Sequence, residues 1–226
     1  MSTTRRALQL LIGLWLFGAS VALLVRSQLG LDPWDVLHQG LSERTGISIG
    51  VVVIVTSLIV LALWIPLRQR PGIGTLANVV LVGLSLDATL TVLPSVTALP
   101  WQLGFLAAGI LGNGVATGLY IGAGLGPGPR DGLMTGLAAR GGSIRLARTA
   151  IEIGVLGVGW LLGGTVGFGT VAYALAIGPL AQVFVPLFTI RAPHAPHAPS
   201  AHREVSHEAA RRRFQHPSRP SRSAHR

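Results

Sequence analysis

Two aspartates occupy matching places in a phrase that the chain contains twice. Asp35 ends "LGLDPWD" and Asp131 ends "LGPGPRD". In both copies glycine and proline precede the aspartate, a pattern typical of a chain that finishes one helix and begins another. A carboxylate in the first turn of a helix accepts free backbone N–H groups and meets the positive end of the helix dipole. Capping of two short helices is one interpretation, and contact with a solute is the other.

Two further polar side chains lie inside long apolar stretches. Asp87 and Gln182 fall at similar depth in two such stretches. An ionisable group there is costly and usually faces the interior of a helix bundle or a water-filled cavity. Asp35, Asp131, Asp87 and Gln182 therefore form a candidate solute pathway, in which Asp87 would bind a cation, a proton or a polar solute group. A packing role for Asp87 is the alternative.

Arg148 and Glu152 are four residues apart and share one face of a predicted helix. This spacing predicts an interfacial ion pair, with gating or proton relay as the alternative. Asn78 and Asn113 are candidates either to line a cavity or to join neighbouring helices by hydrogen bonds.

Several chemistries are absent from the sequence. The chain has no cysteine and no lysine, which excludes disulfides, thiolate metal sites and Schiff bases. No nucleophile and base stand at a recognisable spacing, and His38 has no evident partner in the sequence. We therefore expect neither an enzyme nor a bound metal or cofactor.

The composition predicts a membrane protein. Half of the 226 residues are hydrophobic, 12% are charged, and the mean hydropathy is +0.58. About 20 apolar residues are needed to cross a bilayer as a helix. Six stretches approach that length: 7–25, 47–67, 73–93, 101–125, 149–165 and 167–190.

The distribution of arginine predicts the orientation. Arginines concentrate before the first stretch, after the second, after the fourth and after the sixth, which are alternate connections on one side. The positive-inside rule then places both termini in the cytoplasm, in the inner membrane of a bacterium. A cleaved signal peptide at the N-terminus is the alternative interpretation of the first apolar stretch.

The repeated phrase belongs to a longer internal repeat. A shift of 96 residues matches nine of the 18 positions in 29–46, where chance would give about one or two. A shift of 95 aligns "GIGT" at 72–75 with "GFGT" at 167–170. Each unit, about 7–93 and 101–190, holds three spans, and an odd number of spans forces the second unit to enter the membrane upside down.

The pattern LGxxPxDxLxxGL after the first span, with GxGT at the start of the third, resembles the YczE group of the YczE/YitT class of bacterial integral membrane proteins. The resemblance covers about residues 7–190. It implies a multi-pass membrane protein and carries no established activity.

These observations predict an all-α membrane protein with six transmembrane helices in two inverted three-helix repeats. A short interfacial or re-entrant helix follows the first span of each repeat. Residues 1–190 form the transmembrane domain, and 191–226 form a disordered, basic cytoplasmic tail rich in His, Pro and Arg. Beyond the lipid bilayer itself, that tail would attract anionic lipid head groups. We expect no nucleic-acid partner.

A small-solute transporter or permease is the function that this architecture favours, with an unknown solute as its partner. The alternative is a non-transporting membrane scaffold that supports a partner such as a biosynthetic enzyme.

Overall fold

Helices account for the regular structure of this protein. The computed structural model describes residues 3–141 and 143–190, and in this part of the chain every regular element is a helix. The elements are α1 Thr3–Ser27, α2 Pro33–Thr45, α3 Ile49–Ala62, α4 Trp64–Leu67, α5 Ile73–Val92, α6 Leu99–Gly122, α7 Pro129–Ala138, α8 Ile144–Leu161 and α9 Phe168–Phe188. The predicted all-α class is confirmed, and the predicted tail, 191–226, lies outside the described residues.

Five described segments are long and apolar enough to cross a membrane. They are α1, the continuous pair α3 and α4, α5, α6 and α9. They correspond to the first, second, third, fourth and sixth predicted spans.

The bounds of the fifth predicted span, 149–165, differ from those of the helix found there. The helix there is α8, which begins five residues earlier and ends at Leu161. Gly163 follows with a backbone φ of 106°, a left-handed conformation that stops the helix. α8 is not among the five segments; it has 18 residues and includes Arg145, Arg148 and Glu152.

α1 lies at the centre and packs antiparallel to α6. Gly13 lies against the backbone of Tyr120, and Gly109 lies against the side chain of Leu24. Both contacts pair an early residue of one helix with a late residue of the other. A missing side chain lets the two backbones approach closely, as is usual for helices packed in a membrane.

Two further helices each run parallel to one member of this central pair: α5 runs parallel to α1, and α9 runs parallel to α6. Gly18 of α1 lies against Ser85 of α5, and Arg26 donates from Nη2 to Leu90 O at 2.7 Å farther along both helices. Gly114 of α6 likewise lies against Leu180 of α9. The start of α1 therefore adjoins the start of α5, and α6 and α9 share a direction.

The N-terminal end of α1 and the C-terminal end of α9 lie side by side. Gln9 Nε2 donates to Phe188 O at 2.8 Å, and Arg6 Nη2 lies 3.5 Å from Ile190 O. Ile190 N in turn donates to Gly122 O, the last residue of α6, at 2.9 Å. Three helix ends thus meet on one face of the protein.

The short helices α2 and α7 each pack along a longer neighbour. α2 lies on α8, where Val36 and Leu37 contact Gly159. α7 lies on α3 and α4, where Gly132 faces the Trp64 ring and Trp64 Nε1 donates to Pro129 O at 3.0 Å. These contacts hold each short helix against its neighbours.

Candidate functional site

The two copies of the repeated loop are held by the starts of long helices from the other half of the chain. Leu29 O accepts from Gly169 N at 2.7 Å, at the start of α9. Leu125 O accepts from Gly74 N at 2.9 Å, at the start of α5. Each "LG" phrase is therefore bound by the GxGT sequence of the opposite half, which explains why both sequences occur twice.

Glycine is required in both loops by conformation and by space. Gly30 has a φ of 122° and Gly126 a φ of 126°, in the range that side chains disfavour. A Cβ at Gly30 would lie 2.6 Å from Thr170 Oγ1, and one at Gly126 would lie 2.8 Å from Thr75 Oγ1. The threonine that ends each GxGT thus packs against the opposite loop.

The capping residue of α2 is Asp32. Its Oδ1 accepts from Asp35 N at 2.7 Å, and Pro33 follows as the first helical residue. This corrects the capping role that the sequence suggested for Asp35, because the carboxylate before the proline reaches the free amide first. At the start of α7 the equivalent position is Gly128, which has no side chain to cap the helix.

Asp35 instead pairs with a buried histidine. His38 Nδ1 lies 3.1 Å from Asp35 Oδ1, and each side chain is 2% exposed. Burial lowers the pKa of His38, although the hydrogen bond to Asp35 opposes the change. The imidazole is therefore a neutral donor at neutral pH and does not balance the charge of the carboxylate.

Arg130 joins the two short helices at their first turns. Its Nη1 lies 3.5 Å from Asp32 Oδ2, and its guanidinium carbon lies 5.5 Å from the centre of the Trp34 ring. The arginine side chain is 23% exposed, so the contact is open on one side. We call Asp32, Trp34, Asp35, His38 and Arg130 the junction cluster.

Electrostatics within the junction cluster shift two further groups. Burial raises the pKa of Asp32 to about 6, and the Asp35 carboxylate adds to the rise while Arg130 opposes it. Burial by itself would lower the pKa of Arg130, but the carboxylates of Asp32 and Asp35 more than reverse that effect. Arg130 is therefore permanently charged, and Asp32 exchanges a proton near physiological pH.

Asp131, in the second copy of the phrase, likewise pairs with another side chain instead of capping its helix. Tyr120 of α6 donates from its hydroxyl to Asp131 Oδ2 at 2.8 Å. Asn78 of α5 is close by, since a Cβ added at Gly128 would lie 3.2 Å from Asp131 Oδ2 and 3.7 Å from Asn78 Nδ2. The second phrase thus brings a carboxylate, a phenol and an amide together.

A buried tyrosine and asparagine lie beside the start of α2. Tyr173 of α9 donates to Asn113 Oδ1 at 3.1 Å, and Tyr173 packs in one apolar cluster with Leu31 and Val36. Within the described residues, three buried polar atoms near this region have no hydrogen-bond partner. They are Trp34 Nε1, Asp35 Oδ2 and Asn113 Nδ2.

Asp87 lies apart from these groups. Its Oδ1 accepts from Gly50 N at 2.8 Å and its Oδ2 accepts from Ser48 Oγ at 2.6 Å. Both oxygens are thereby used to bind the first turn of α3, which explains the residue as a helix cap supplied by a neighbouring helix. A solute-binding role for Asp87 stays a prediction.

The remaining predicted residues lie at the edges of the structure. Gln182 is exposed on α9. Arg148 Nε donates to Glu152 Oε1 at 2.9 Å, with the two side chains 59% and 32% exposed. Glu152 is close enough to raise the pKa of Asp32, so this pair borders the junction cluster.

Sequence reasoning missed the roles of three members of the junction cluster. Asp32 and Arg130 were not singled out, and His38 was given no partner, although the Asp35 to His38 spacing of three residues places both on one helix face. Arg130 was hidden because it occupies the repeat position of Trp34, so the repeat itself shows no matching chemistry there.

Comparison with known proteins places the chain in a family. Residues 4–186 match a family described as "Family of unknown function (DUF6198)". The chain belongs to this family. No solved structure matches it.

Individual relatives extend over most of both chains. An uncharacterized protein of Haemophilus influenzae is 42% identical over 189 residues, covering 83% of this chain and 86% of the relative. The "Uncharacterized membrane protein YczE" of Bacillus subtilis is 32% identical over 177 residues, covering 77% and 82%. The "Uncharacterized protein YyaS" of the same organism is 27% identical over 183 residues, covering 78% and 90%.

These relatives confirm the resemblance to the YczE group. Together with the five long apolar helices, they identify the chain as a membrane protein with several candidate spans. The junction cluster is thus a set of charged and polar side chains in the interior of a membrane protein.

Proposed function

We propose that this protein is a small-solute transporter of the bacterial inner membrane, built from two inverted three-helix repeats that share the junction cluster as their solute site. The observation that carries the proposal is the contact between Trp34 and Arg130. These residues are 96 apart and hold the same position in the two repeats. Only residues close to a twofold axis can contact their own counterparts, so this contact supports a pseudo-twofold axis passing through the cluster.

Helix direction supports a sixth crossing by α8. α6 and α9 are parallel, and their C-terminal ends meet where Ile190 N donates to Gly122 O. The chain after α6 must therefore return across the membrane before α9 begins. α8, with 18 residues, has a length of about 27 Å and provides that return.

The same contacts support the proposed orientation. An even number of crossings leaves both ends on one face, in keeping with the contact between Arg6 and Ile190. Arginine-rich connections on that face make it the cytoplasmic one by the positive-inside rule.

The short helices α2 and α7 fit a re-entrant role. α5 and α9 begin at opposite faces in this architecture, and each start holds one of the two repeated loops. A contact of 3.5 Å between Arg130 and Asp32 then requires both short helices to begin well inside the membrane. Broken helices that converge from opposite sides are the usual way in which transporters build a solute site.

Alternating exposure of the junction cluster is the behaviour that tests this proposal. A thiol introduced beside the cluster should react with membrane-impermeant reagents from both faces in a transporter, and from one face or neither in a scaffold. The proposed role is transport without catalysis.

A further inference from the structure

One oxygen of the Asp35 carboxylate lacks a partner. The side chain is 2% exposed, its Oδ1 is paired with His38, and Oδ2 has no hydrogen-bond partner among the described residues. Burying a carboxylate without a donor for each oxygen forfeits much of its hydration free energy. The position of Oδ2 therefore suits a ligand that brings a hydrogen-bond donor and a positive charge.

The charges of the junction cluster point to the same kind of ligand. Within the described residues Arg130 is the one cation of the junction cluster, and it faces the carboxylates of both Asp32 and Asp35. His38 adds no charge, because burial lowers its pKa. With both carboxylates ionised, the cluster carries one uncompensated negative charge.

The elements around the cluster do not supply the missing charge. The charged and titratable side chains that border it are Asp131 of α7, Tyr120 of α6, Tyr173 of α9, and Arg148 with Glu152 of α8. Asp131 accepts from Tyr120, and Arg148 is paired with Glu152. The pair of Arg148 and Glu152 thus has no net charge, and Asp131 adds no positive charge.

We propose that the junction cluster binds a small protonated primary amine at Asp35 Oδ2. This inference rests on the proposed transport function and names its substrate class. An ammonium group has three N–H donors and one positive charge, which match a free acceptor oxygen and a single excess negative charge.

A divalent calcium or magnesium ion fits the same place poorly. Ca²⁺ takes six to eight oxygen ligands and Mg²⁺ about six, typically with several carboxylates or waters. Among the described residues no group of three His, Cys, Asp or Glu side chains is arranged to hold a metal. One free carboxylate oxygen is sufficient for an amine and insufficient for these ions.

A proton on Asp32 competes with the amine, because either cation neutralises the negative charge of the junction cluster. Burial raises the pKa of Asp32 to about 6, so the cluster holds a proton below that pH and releases it above. Binding of an amine near pH 6 should therefore expel a proton.

Thermal unfolding of the purified full-length protein in lipid nanodiscs tests this inference, with methylammonium chloride as the probe and sodium chloride at equal concentration as the reference. At pH 7.5 we expect methylammonium at ten times its Kd to raise Tm by about 3–6 °C. Tetramethylammonium, which has no N–H donor, should behave like sodium. Equal Tm shifts with methylammonium and sodium, or equal Tm shifts with methylammonium and tetramethylammonium, would overturn the inference.

Two variants test whether the Tm shift caused by methylammonium depends on Asp35. Asp35→Asn should abolish the methylammonium shift, and Glu43→Gln, on the exposed C-terminal part of the same helix, should retain it. An undiminished shift in Asp35→Asn would place the binding elsewhere.

Proton release from the wild-type protein gives an answer even if Asp35→Asn does not fold. In weak buffer at pH 6 with a pH-indicator dye, methylammonium should release a fraction of a proton per protein, and its apparent Kd should rise about tenfold per pH unit well below 6. Absence of release combined with a pH-independent Kd would place the amine away from the carboxylates of the junction cluster. If these amine tests fail while a thiol beside the junction cluster is labelled from both faces, the amine proposal is wrong and the transport proposal stands for another class of solute.

Discussion

The guanidinium carbon of Arg130 lies 5.5 Å from the centre of the ring of Trp34, the residue that holds the same position in the other repeat. Cation–π contacts of this kind stabilise a partly buried arginine by about 0.5–2 kcal/mol. The pair also brings Arg130 to Asp32, which caps α2. A charged residue of one repeat thereby compensates carboxylates of the other, so the two halves depend on each other.

Removal of Arg130 should destabilise the protein strongly. Arg130→Gln leaves two buried carboxylates without their cation, and breaking a buried pair in this way costs about 3–5 kcal/mol. Unfolding in detergent measures the loss, and Arg145→Gln on the exposed surface of α8 is the matched control. The double variant Arg130→Gln with Asp32→Asn should recover part of the stability. Equal stability of Arg130→Gln and Arg145→Gln would contradict the compensation described here.

A side chain at Gly126 should be poorly tolerated. Gly126→Ala combines a left-handed backbone, which costs about 1–2 kcal/mol for an L residue, with overlap against Thr75 Oγ1. We expect a loss of about 2 kcal/mol or more in the free energy of unfolding. Gly154→Ala is the control, since a Cβ there meets nothing within 4 Å and alanine favours a helix by up to about 1 kcal/mol. Similar effects of both substitutions would refute the loop packing.

Asp87 should contribute to the free energy of unfolding of the protein and not to amine binding. Asp87→Asn weakens the two hydrogen bonds to the start of α3, and loss of a helix cap costs about 0.5–2 kcal/mol. In a double-mutant cycle with Ser48→Ala the two effects should be less than additive, because both substitutions act on one hydrogen bond. Additive effects, or loss of the methylammonium response in Asp87→Asn, would instead support the solute contact that the sequence suggested.

Asp32 should make stability depend on pH in a defined direction. Its pKa in the folded protein is about 6 against an ordinary value of 3.8, so the folded state binds the proton more tightly. That contribution is complete below about pH 3.8 and is lost as pH rises through about 6. The Tm of the wild type minus that of Asp32→Asn should therefore fall between pH 4 and pH 7.

His38→Gln provides the opposite trend as a control. Burial lowers the pKa of His38 from 6.5, so its contribution to stability is present above pH 6.5 and is lost as pH falls below that value. The Tm of the wild type minus that of His38→Gln should fall as the solution is acidified. Parallel pH trends for the two variants would show that neither residue has the environment described.

Long apolar stretches made most of the helices predictable, because a bilayer demands a minimum length of helix. The start of α8 was placed five residues too late, since Arg145, Arg148 and Glu152 interrupt the apolar residues of its first half. The repeat located both loops, yet it could not reveal that Trp34 meets Arg130, because that contact joins different residue types through tertiary packing. Asp32 was missed for a related reason: its counterpart is Gly128, so the repeat draws attention to Asp35 alone.

The central claim is that the junction cluster opens to each face of the membrane in turn. Ile151 of α8 packs against the apolar cluster that contains Trp34, and the natural absence of cysteine makes Ile151→Cys a single reporter thiol. Exposed Arg70→Cys and Ser95→Cys, in loops at opposite ends of α5, are the one-sided controls.

Labelling of Ile151→Cys by a membrane-impermeant thiol reagent, in right-side-out and in inverted vesicles, is the most direct measurement. The proposed transporter should be labelled from both sides, with methylammonium changing the two rates in opposite directions, while each control reacts from its own side. Labelling of Ile151→Cys from one side alone, or from neither, under every condition would contradict alternating access and favour a non-transporting scaffold.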